Sequence, residues 1–67
     1  MRAVFVWRYL DQGGEELGSS ERFADRESAE AWIGETWSDL YERGVEEVEL
    51  VQENGGGALF RMGLAEG

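Results

Sequence analysis

Residues 25–44, DRESAEAWIGETWSDLYERG, decide the fold, because they read as one capped amphipathic helix between two strand-like halves. Asp25 can accept from the free amides of a first helical turn, and Glu27 complements the positive end of the dipole. Arg43 suits the negative end, and Gly44 can take the left-handed conformation that stops a helix. The spacing predicts a helix over residues 26–43. Within it Asp39 and Arg43 stand four apart, acid first, the better order for an exposed ion pair. At roughly 100° per residue, Ala29, Ile33, Thr36, Trp37 and Leu40 share one face, with Trp32 and Tyr41 at its margins. Glu27, Glu35, Ser38 and Glu42 lie opposite. So wide an apolar stripe suits a helix lying across a sheet. Trp37 is expected in the core and Trp32 at its rim, with its indole N–H reachable by water or a carbonyl.

Outward from the helix the period changes to two. Residues 2–10, RAVFVWRYL, are rich in β-branched and aromatic side chains and predict a first strand. Ala3, Phe5, Trp7 and Tyr9 would face one way, and Val4, Val6, Arg8 and Leu10 the other. The turn residues DQGG at 11–14 lead to a weaker second strand over about residues 15–23, read as an edge. After the helix, residues 45–53 alternate Val48 and Leu50 with Glu47 and Glu49, the pattern of a strand with one wet face. NGGG at 54–57 signals a turn. A last strand over 58–64 places Ala58, Phe60, Met62 and Leu64 on one side, and residues 65–67 are expected to fray. The expected fold is therefore α+β: one domain over residues 1–67, with an antiparallel sheet of about four strands and one helix packed on one face, in the order ββ-α-ββ.

Composition narrows the function classes. Fifteen acids stand against six bases, all arginine, for a formal charge of −9. Such a chain repels phosphate backbones and anionic membranes, so neither nucleic acid nor membrane is an expected partner. With neither cysteine nor histidine, disulfides are excluded and a zinc site nearly so, and most nucleophile and acid–base constellations are missing. The opening apolar run is too short for a secretory leader, which makes a cytoplasmic location the expectation. Ser19 and Ser20 have no basic partner in sequence, and the glutamates at 46, 47, 49 and 53 lack calcium-loop spacing. The glycine runs at 13–14 and 55–57 lack the lysine and helix start of a phosphate loop. No cofactor and no catalysis are expected.

The block FADRESAEAWIGETWSDLYERGVEEVEL, residues 23–50, together with the W-R-Y of residues 7–9, resembles a family of small uncharacterised bacterial single-domain proteins. The shared pattern is F-A-D, then A-E-A-W-I-G-E-x-W-x-x-L, then G-V before an acidic strand. The resemblance implies a stand-alone domain and brings no catalytic or binding residue with it.

What remains is surface. Strand 1 is apolar on both sides, and a helix of about 25 Å covers only one side of a four-stranded sheet. The uncovered side is expected to meet a second copy, making a homodimer with Phe5, Trp7, Tyr9, Phe60 and Met62 at its interface. The competing arrangement puts those aromatics under the helix and leaves Val4, Val6 and Leu10 outside. The leading expectation is a non-catalytic acidic interaction module that self-associates. One alternative is an acidic decoy for a basic, nucleic-acid-binding partner, carried by Glu27, Glu35, Asp39, Glu42, Glu47 and Glu49. A second is a small enzyme or ligand-binding domain with a pocket between helix and sheet.

Overall fold

A computed structural model describes residues 3–64. The chain forms β1 (Phe5–Leu10), β2 (Glu16–Ser19), α1 (Arg26–Glu42), β3 (Glu47–Gln52) and β4 (Gly57–Gly63). Each half is a hairpin, and the helix connects them. The four strands make one antiparallel sheet in the order β2-β1-β3-β4. The first strands of the two hairpins thus meet at the centre, and their second strands form the edges. Residues 65–67, expected to fray, lie outside the described residues, as does Arg2 of the expected first strand.

The helix ends follow from the residues that cap them. Asp25 is extended, and its carboxylate accepts from the Ser28 amide at 2.7 Å. That charge-assisted bond holds the Asp25 carboxyl below its ordinary range. At the other end Gly44 takes φ +101°, which is costly for any residue with a Cβ. Its N–H bonds the Tyr41 carbonyl and the Val45 N–H bonds the Leu40 carbonyl, both at 3.1 Å. These two bonds satisfy carbonyls that the helix leaves open and fold Val45 back beside Leu40 in the core.

Cross-strand register assigns the two faces of the sheet. Trp7, Leu50 and Phe60 lie side by side on one face, as do Tyr9, Val48 and Met62. This is the face that α1 covers. Trp7, Ala29, Ile33, Leu40, Val45, Val48, Leu50 and Leu64 form the buried cluster. Trp7 is 0% exposed, and its indole N–H donates to the Ala29 carbonyl at 2.8 Å, tying the centre of the sheet to the helix. Phe23 and Trp32 close one margin, ring centroids 5.6 Å apart. Trp32 sits at the rim as expected; Trp37 is half-buried against the cluster, and Tyr41 is exposed.

On the opposite face, ion pairs run across all four strands. Arg8 bonds Glu16 at 3.0 Å and Glu49 at 3.3 Å, and Arg61 approaches Glu49 at 3.6 Å and Glu47 at 3.8 Å. Val6 and Leu10 alternate with Arg8 along β1 and are buried, although neither belongs to the cluster under the helix.

Two irregularities depart from the simple alternation. The second strand, expected over 15–23, forms only over Glu16–Ser19 and carries a bulge at Leu17. Beyond it the Ser20 amide donates to the Trp7 carbonyl at 2.8 Å, the Ser20 hydroxyl accepts from the Trp7 amide at 2.9 Å, and the chain meets β1 again at the Phe5–Phe23 bridge. A bulge in β4 between the partners of Leu50 and Val51 inserts Leu59, so Ala58 pairs with Val51 rather than continuing the Phe60–Met62 face.

Candidate functional site

The five residues expected at a dimer interface are brought to one face, but it is the helix side. Trp7 has no exposed surface and cannot anchor an interface, which corrects the expectation that it lies at the centre of one. The cause is its N–H: an indole buried against a sheet needs an acceptor, and the Ala29 carbonyl of the helix provides one. Phe5, Tyr9 and Met62 are half-buried against the same cluster. Burial of the Tyr9 ring, partly offset by the nearby Arg43 charge and reinforced by Glu21, raises its phenol above the ordinary value. The competing interface fares no better, since Val6 and Leu10 have almost no surface left to bury.

Phe60 alone of the five remains substantially exposed, at 42%. It meets Trp7 edge-on at 6.2 Å, at the margin of the layer that α1 covers. The adjacent Leu59 is also 42% exposed. Sequence reasoning did not single out Leu59, whose place in a bulge is set by the pairing of β4 with β3. The two side chains stand on β4, an edge strand with no neighbour beyond it among the described residues. Residues 54–64 carry one arginine and no acid, in a chain of net charge −9. The exposed apolar pair and the relief from negative charge thus coincide.

The other edge differs. β2 is four residues long, is bulged at Leu17, and follows Glu15 and includes Glu16, both exposed. Short, charged, irregular edges resist pairing. β4 has the bulge at Leu59, but after it Phe60, Arg61, Met62 and Gly63 continue in unbroken register with β3.

The acids of the decoy reading fall on two surfaces. Glu27, Glu35, Asp39 and Glu42 are exposed along α1. Glu47 and Glu49 lie on the far face of the sheet, within the ion pairs of Arg8 and Arg61. The division follows from the sheet standing between them. Asp39 and Arg43 form the expected i,i+4 pair at 3.5 Å.

Among the described residues no three acids converge as a metal site would require. A shallow open depression of about 220 Å³ is lined by Ala3, Val4, Arg22, Phe23 and Ala24, with Arg22 bonded to Glu53 at 2.9 Å. No helix among the described residues is long and apolar enough to cross a membrane. No protein-family profile, curated protein or solved structure matches the chain.

Proposed function

We propose that the protein is a non-catalytic interaction module that associates with a second copy of itself along β4. The observation that carries this reading is the exposed Leu59–Phe60 pair on an unpaired, acid-free edge strand. An open sheet edge offers a row of backbone donors and acceptors to any incoming strand. The incoming strand must tolerate a chain that is strongly negative elsewhere. A second β4 does so, because it brings arginine and no carboxylate to the contact.

Sedimentation velocity at micromolar concentration tests the reading. Wild-type protein should sediment as a dimer, and Phe60→Glu as a folded monomer with unchanged far-UV circular dichroism. Added salt should tighten the dimer, because it screens the mutual repulsion of two chains of charge −9. A wild-type monomer across the concentration range would sink the proposal.

A further inference from the structure

The backbone of β4 fixes how a second copy could pair with it, given the reading that this edge self-associates. Antiparallel strands alternate between residues whose N–H and C=O point to one neighbour and residues whose groups point to the other. The Glu53 N–H donates to the Val4 carbonyl at 2.9 Å. In the register Val6–Val51, Arg8–Glu49, Leu10–Glu47, that bond turns the backbone groups of Glu47, Glu49 and Val51 towards β1. Those of Val48 and Leu50 therefore turn towards β4, where they meet Met62 and Phe60. The Leu64 N–H, donating to Glu46 at 2.9 Å, has the same phase. Arg61 and Gly63 are left with their N–H and C=O pointing out from the edge.

We infer that two copies pair antiparallel along β4 about a two-fold axis through Met62, giving a continuous eight-stranded sheet with both helices on the same face. Arg61 then exchanges backbone bonds with the partner's Gly63, and Gly63 with the partner's Arg61. Met62 stands directly opposite the partner's Met62, and Phe60 opposite the partner's Leu64, on the helix side. The bulge at Leu59 ends the paired segment.

Side chains select this register over its neighbour. Centring on Arg61 would set two guanidinium groups directly opposite, which is unfavourable. Centring on Met62 sets each arginine against a glycine with no side chain. An added Cβ at Gly63 would meet nothing within 4 Å, so that position is open. Beyond the partner's Gly63 on the same face lies the partner's Glu47, because Glu47 and Gly63 are register partners. Arg61 and that carboxylate are separated by two strand spacings, roughly 10 Å between backbones, a gap their extended side chains can close. Arg61 already approaches Glu47 and Glu49 of its own chain on that face. The contact is complementary in charge as well as in backbone bonds.

The chain has no cysteine, so single cysteine substitutions report the register cleanly. In the Met62-centred pair the Cα atoms of residue 62 lie about 4.5 Å apart, within disulfide range, whereas the two copies of residue 61 lie beyond about 7 Å. Under mild oxidation Met62→Cys should yield at least about tenfold more covalent dimer than Arg61→Cys. If wild type is a dimer and Arg61→Cys cross-links preferentially, the register is overturned and self-association stands. If wild type is a dimer and neither variant cross-links, pairing along β4 is overturned. A monomeric wild type removes both the inference and the reading beneath it. Should Met62→Cys fail to fold, amide exchange of the wild type decides: concentration-dependent protection of Arg61 and Gly63 supports the pairing, and its absence overturns it.

Discussion

Replacing Trp7 by phenylalanine isolates the link between sheet and helix. The substitution keeps an aromatic ring against Leu50 but removes the indole N–H that donates to the Ala29 carbonyl at 2.8 Å. It also removes two ring carbons from a fully buried site. The carbons cost about 1.6 kcal/mol at ~0.8 kcal/mol per buried carbon, before any cavity is counted. The hydrogen bond adds about 1 kcal/mol. The total, about 2.5 kcal/mol, is a large share of the roughly 7 kcal/mol that ~0.1 kcal/mol per residue gives a chain of this size. With a urea m-value of about 1 kcal/mol/M, the midpoint should fall by about 2.5 M. Trp32 and Trp37 remain as fluorescence reporters, and wild type and variant must be compared at one protein concentration. A midpoint within about 0.3 M of wild type, on the same m-value scale, would show that Trp7 does not join the helix to the sheet as described.

Two glycines should respond oppositely to alanine. Gly34 sits exposed inside α1 with nothing within 4 Å of an added Cβ, so Gly34→Ala should raise stability by about 0.5–1 kcal/mol in thermal melts. Gly44, at φ +101°, should lose about 1 kcal/mol on the same change. The lowered pKa of Asp25 means its cap contributes fully above the unfolded value of 3.8 and is lost as pH falls through the folded value. Asp25→Asn keeps an acceptor at the cap and should flatten the acid limb of stability against pH. The raised pKa of Tyr9 has the opposite consequence: its contribution is complete below the unfolded value of 10.0 and is lost as pH rises through the folded one. Tyr9→Phe should accordingly flatten the alkaline limb.

The helix was the most legible element, because Asp25, Gly44 and the Ala29–Ile33–Leu40 stripe act locally and agree with one another. The four strands were legible from alternation and glycine turns. Which face of β1 the helix takes was not, since both faces carry apolar residues at period two. The deciding bond, Trp7 to the Ala29 carbonyl, joins residues 22 apart in sequence. The Arg8–Glu49 ion pair was hidden for a related reason: it depends on a strand order that places β1 beside β3. That order also makes β4 an edge, and a bulge exposes Leu59 there. Sequence alone named Phe60 and Met62 as interface candidates without revealing that they stand on an edge strand.

The central claim is that β4 is completed by another β4, and backbone amide exchange measured by NMR across a dilution series tests it most directly. The amides of Phe60 and Met62 face β3 and should be protected at every concentration at which the chain is folded. Those of Arg61 and Gly63 face outward and should be protected at high concentration, then lose protection together as dilution separates the copies. Rapid exchange of Arg61 and Gly63 at all concentrations would contradict the account.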